Sequence, residues 1–165
     1  MIRRAVIVVV GSVAVIIATV LVIGTLLPEA HDATGTARLG TSPEQVFDVL
    51  VDVDRYPEWR TDVTSVEILG RNPLRWREQS GGDTITFEVI ERSPPERLRV
   101  RIADPDLPFG GTWTYALARD DGGTRVTIAE HGEVYNPVFR FVSRFVIGHD
   151  ATIQTFLTDL RRRLE

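Results

Sequence analysis

Between Val66 and Glu130 apolar residues recur at every second position in six consecutive segments. Val66 and Ile68 open the series. Leu74 and Trp76 follow, then Ile85, Phe87 and Val89, and after them Leu98, Val100 and Ile102. Trp113, Tyr115 and Leu117 come next, and Val126 and Ile128 close it. Period-2 alternation describes strands with one buried face. The segments are separated by turn-forming stretches such as Gly81-Gly82-Asp83, Ser93-Pro94-Pro95-Glu96 and Asp120-Asp121-Gly122-Gly123. Connections this short force an antiparallel meander, because a parallel crossover needs a dozen residues or more. A sheet with one apolar face needs a cover.

The cover is legible at the C-terminus. Asn136-Pro137 is a helix start, and the spacing predicts one long helix running through Leu164. Val138, Phe141, Val142, Phe145, Ile153, Phe156, Leu157, Leu160 and Leu164 form its apolar stripe. Ahead of the meander, residues 31–40 are β-permissive. Ser42, Pro43 and Glu44 then supply an N-cap, an N1 proline and a first-turn acid for a helix reaching about Asp52. A second short helix is expected over residues 58–63, after Pro57. The order is strand, two helices, six strands and a long helix, an α+β chain.

Residues 5–27 form a different segment, a run of 23 residues without charge. As a helix it would measure roughly 34 Å, against a bilayer core of about 30 Å. It is longer than the core of a secretory signal, and no small-residue cleavage site follows. The sequence therefore predicts an uncleaved, single-pass transmembrane helix. Residues 1–29 form the anchor and 30–165 the domain. Arg3 and Arg4 precede the run, whereas Glu29 and Asp32 follow it. The positive-inside rule then places the N-terminus in the cytoplasm and the domain outside the cell membrane.

Composition narrows the chemistry. All 19 basic residues are Arg and there is no Cys. Disulfides, thiol catalysis and lysine Schiff bases are excluded. Beyond the N-terminal segment 17 Arg face 23 acids, which is no nucleic-acid surface. His31, His131 and His149 have no metal-ligand spacing, no glycine pair has phosphate-loop context, and no cofactor is implied.

Three carboxylates, Glu78, Glu91 and Glu130, share the parity of their strands' apolar residues, each near a strand end. Such an acid is either solvated past the end of the strand or held at a cavity mouth with a raised pKa. Val126 and Ile128 make the register of Glu130 the clearest. His149 falls one turn beyond Phe145 on the final helix and is a candidate general base. Glu130 and Tyr115 would accompany it if the protein were a catalyst. Arg97, Arg99 and Arg101 alternate outward, placed to pair across strands with acids such as Glu88.

The stretch TSPEQVFDVLVDVDRYPEWRTDV, together with GTWTYAL and GGTRVTIAEHGEV, resembles the START-like, or SRPBCC, superfamily and its polyketide cyclase/dehydrase-like branch. The resemblance covers about residues 35–164. It implies a helix-grip fold in which a curved antiparallel sheet of about seven strands wraps one long helix and encloses a cavity. Trp59, Trp76, Phe87, Trp113, Tyr115, Phe141, Phe145 and His149 are the expected cavity lining, with the Asp104–Gly111 loop as a gate. The expected function is binding of a hydrophobic or lipid-like small molecule by a membrane-anchored domain. Its rivals are a cyclase or dehydratase, and an interaction module with a filled core.

Overall fold

In the computed structural model the described residues are 2–147 and 151–165, with side chains described for 10–145 and 151–165. Helix α1 spans Ile2–Leu26. Strand β1 (Ala30–Leu39) follows, then α2 (Pro43–Val51), a single 3₁₀ turn at Val53–Arg55 and α3 (Tyr56–Trp59). The meander comprises β2 (Val63–Arg71), β3 (Leu74–Ser80), β4 (Asp83–Ser93), β5 (Arg97–Ile102), β6 (Phe109–Asp120) and β7 (Gly123–Val134). Helix α4 (Pro137–Val142), a π-helical turn at Ser143–Ile147 and α5 (Ala151–Leu164) complete the chain.

The seven strands form one antiparallel sheet in the order β1-β7-β6-β5-β4-β3-β2. Only β1 is out of sequence, and its pairing with β7 brings the two ends of the domain together. The expected α+β helix-grip arrangement is present. Val100, Val126, Ile128 and Leu98 on the sheet face Ile153, Phe156, Leu157 and Leu160 of α5, and all are buried. Helix α2 starts where its sequence requires. Ser42 Oγ accepts from the Gln45 backbone N–H, and Gln45 Oε1 accepts from the Ser42 backbone N–H at 3.2 Å. This reciprocal capping box satisfies two donors left over at the helix start.

Two expectations need correction. The first is the transmembrane helix. Among the described residues no helix is long and apolar enough to cross a membrane. Helix α1 is the segment that was expected to span. Its last turn is also engaged by protein: a Cβ on Gly24 would fall inside the Pro137 carbonyl. The second is the single long C-terminal helix. Its described residues form α4, the π-helical turn and α5, and α5 supplies the buried residues that cover the sheet. Val138 and Phe145 belong to the same apolar period but are 41% and 60% exposed. The segment carrying them follows α1, because the buried Arg140 turns α4 toward the end of that helix.

Candidate functional site

Tyr56 and Trp59 lie inside the core, and their charged neighbours Asp52, Asp54, Arg55 and Glu58 are exposed. Pro57 can sit there because it is at the first turn of α3, where no helical N–H is lost. The Tyr56 hydroxyl donates to the Leu50 carbonyl at 2.7 Å, fastening α3 to α2. The Trp59 ring meets Phe156 of α5 edge-on at 5.5 Å. Phe156 also touches Trp113 and Tyr115 on β6, and Tyr56 touches Trp76, which stacks on Phe87 at 5.3 Å. Five of the expected cavity residues, Trp59, Trp76, Phe87, Trp113 and Tyr115, therefore share one aromatic network. Phe156 and Tyr56, absent from the expected lining, are its junctions. Phe141 and Phe145 pair with each other at 5.0 Å, apart from this network among the described residues, and Phe145 is exposed. His149 lies outside the described residues.

One end of this interior is sealed by charge. Glu78 on β3 is fully buried rather than solvated past its strand. It accepts from the Trp76 indole N–H at 3.1 Å, and both of its oxygens accept from Arg60 Nη1 at 3.3 Å. Arg60 also binds Asp62 at 2.6 Å and lies over the rings of Tyr56 and Phe156. Burial raises the Glu78 carboxyl above its ordinary value, and the Arg60 guanidinium opposes that shift. Asp159 of α5 accepts from the Thr61 backbone N–H and hydroxyl, both at 2.7 Å, and from Arg162 at 2.8 Å. Every one of these groups is partnered, so this end is structural.

The other end is not. Ala33, Glu130, Trp113, Val100 and Val89 form one inward rung across β1, β7, β6, β5 and β4. Glu130 is the polar member. Its side chain is 17% exposed, and its Oε2 is buried without a hydrogen-bond partner. Burial pushes its carboxyl up to about 7, with the Trp113 indole N–H acting in the opposite direction. His31 Nε2 lies 3.7 Å from Glu130 Oε1. The space for that approach is made by Gly132, where a Cβ would strike the His31 ring and stand 3.1 Å from Glu130 Oε1. The pair joins residues 99 positions apart, and only the β1–β7 closure unites them. His31 was missed because its inward parity depends on that closure. The sequence signal that could have found it is Gly132, a glycine inside a strand, which often marks a close approach.

The remaining candidates separate from this rung. Glu91, the third carboxylate of inward parity, is moved off it by a β-bulge between Val89 and Glu91 and lies 3.9 Å from Arg97. Tyr115 is buried in the aromatic network, and burial holds its hydroxyl well above the ordinary range. On the outer face Arg101 pairs with Glu88 at 3.3 Å, as the arginine alternation predicts. The β5–β6 loop does not expose an apolar tip. Leu107, Pro108 and Phe109 are half-buried, and the Pro108 carbonyl accepts from Tyr135 N at 2.9 Å. This loop borders a recess of about 410 Å³ lined by Arg101, Asp104, Thr112, His131 and Glu133. Arg101, Thr112 and His131 alternate with the inward residues, so the recess opens on the opposite side of the sheet from Glu130. No group of His, Cys, Asp and Glu able to hold a metal ion is present among the described residues.

Known proteins place this architecture. An uncharacterized Mycobacterium tuberculosis protein, Rv2574, is 29% identical over 134 residues, covering 77% of this chain and 80% of that one. A START superfamily protein from Mycobacterium smegmatis superposes with a TM-score of 0.66 at 17% identity, covering 81% of this chain and 97% of that one. TTHA0849 from Thermus thermophilus superposes with a TM-score of 0.68 at 20% identity, again covering 81% and 97%. At such identities the structural likenesses carry the fold alone. The model of the polyketide cyclase / dehydrase and lipid transport family matches residues 30–165, and the chain belongs to that family.

Proposed function

We propose that the domain binds a hydrophobic small molecule on the concave side of the sheet, with a polar oxygen of that molecule at Glu130. The observation that carries this reading is the buried Glu130 Oε2, without a hydrogen-bond partner, on the same rung as Trp113. A buried polar atom left unpaired costs about 1–3 kcal/mol, which a bound molecule supplying the partner recovers. The charge pattern favours a neutral molecule. Arg60 is neutralised by Glu78 and Asp62, and Arg140 by Glu29 and four carbonyls. An acidic head group beside Glu130 would lose its water with neither of these cations available to it. Family membership supports the reading, since it spans cyclases, dehydrases and lipid transport.

A cyclase-like reading is favoured by one further observation. A carboxyl that titrates near 7 can both give and take a proton at neutral pH. The test of the binding reading uses two isosteric probes, 2-acetylnaphthalene and 2-naphthoate, titrated into the full-length protein by calorimetry. The ketone is expected to bind at least about tenfold more tightly than the carboxylate, and Glu130→Leu to remove that preference, a difference of about 1.4 kcal/mol. Equal affinities, or a preference that survives in Glu130→Leu, would refute it. Glu130→Gln separates the two readings, because the amide keeps a hydrogen bond but cannot transfer a proton.

A further inference from the structure

Arg140 is a buried arginine on a six-residue helix, and all of its bonds go to three chain segments. Nε donates to the Val134 carbonyl at 2.7 Å, and Nη2 donates to the Tyr135 carbonyl at 2.9 Å. Nη1 reaches the Gly24 and Leu27 carbonyls at 3.4 and 3.3 Å, and Nη2 meets Glu29 Oε1 at 2.7 Å. The first pair fixes the end of β7. The second fixes the end of α1, and the last fixes the residue that leads into β1. The same two strand ends are joined directly, by Val134 N donating to the Glu29 carbonyl at 2.9 Å. His31 is two residues beyond Glu29, and Glu130 is four residues before Val134. The fork therefore clamps the register that sets His31 on Glu130.

The contact between α1 and α4 is equally specific. Gly24 is buried against the Pro137 backbone, and any side chain at position 24 would have to displace one helix from the other. We infer that Arg140 is a positioning residue that couples helix α1 to the His31–Glu130 pair, so that the seating of α1 on α4 sets the geometry of the site. A planar five-donor fork suits such a junction, and a lysine would satisfy fewer of its carbonyls. The coupling is independent of whether a ligand binds.

The test follows the Glu130 carboxyl by carbon NMR across pH in the full-length protein. Among the described residues the groups that bear on it are His31 from β1 and, on β6, Tyr115 and the Trp113 indole, while α5 brings the Phe156 ring against Trp113. Gly24→Val pushes α1 off the Pro137 backbone while leaving the Arg140, Glu29, His31 and Glu130 side chains unaltered, and Arg140→Gln removes the clamp itself. Both are expected to lower the Glu130 midpoint by about one pH unit or more, as water gains access to it. Val46→Ala, a core truncation on α2, is expected to lower stability and leave the midpoint in place. An unmoved midpoint in Gly24→Val overturns the coupling, whatever Arg140→Gln does. A midpoint that moves equally in Val46→Ala also overturns it, by showing a general loosening. Should Arg140→Gln fail to fold, Gly24→Val and Val46→Ala still decide between these results.

Discussion

At the scale of single residues, Glu130 is the group whose protonation differs most usefully between folded and unfolded chain. Its folded pKa of about 7 lies above its ordinary 4.5, so between those values the folded chain holds a proton that the unfolded chain has lost. Stability from this group is full below about pH 4.5 and is lost as pH rises through about 7. The loss amounts to at most about 3 kcal/mol. Glu78 acts in the same direction, so the comparison must be made against a variant. Urea denaturation of the wild type and Glu130→Gln at pH 5 and pH 8 is expected to show the variant gaining on the wild type as pH rises. Parallel behaviour of the two would place the Glu130 carboxyl in water. Arg60 gives the opposite kind of prediction. Replacing it by Met leaves Glu78 buried without its cation and should cost about 3–5 kcal/mol. Replacing Arg60 and Glu78 together by apolar residues should restore much of that loss.

At the scale of elements, the contacts that seat α5 and β1 matter most. Asp159 ties α5 to the loop after α3 through two bonds from Thr61. Asp159→Ala leaves a backbone donor without its carboxylate and is expected to lower stability by about 3 kcal/mol, read from the denaturation midpoint. Gly132 has a different role. In Gly132→Ala the new methyl enters the space of the His31 ring, so the His31 ring resonances should shift and the chain should lose about 1–3 kcal/mol from overpacking. Unchanged His31 resonances would show that the ring is not held across β7. The sequence could not announce this junction. Strand parity gives the face of Glu130 but not its neighbour, because β1 reaches β7 only after five other strands have been laid down. Parity also misplaces Glu91, since a bulge inserts one residue and turns the side chain.

At the scale of the whole molecule, the order of elements and the antiparallel sheet were legible because alternation and turn chemistry agree along the meander. The closed end of the core was legible in part. Trp59 was expected in the lining there, but the Arg60–Glu78 pair was not expected, since nothing local marks a buried ion pair. The C-terminal region was misread because apolar spacing runs unbroken through residues 138–145 while Val138, Phe139 and Phe145 stay exposed. Periodicity reports a face and cannot say whether a neighbouring helix or solvent meets it. The uncharged N-terminal run was misread in a related way, as hydropathy does not register that the end of α1 is held by Arg140 and Pro137.

The most direct measurement is native mass spectrometry of the full-length protein, purified gently from its own cells, with Glu130→Leu prepared in parallel. Occupancy by one neutral, apolar molecule per folded wild-type chain, lost from the variant, is the predicted result. A folded wild type that carries nothing, or the same molecule held equally by both proteins, would contradict a binding site built on Glu130.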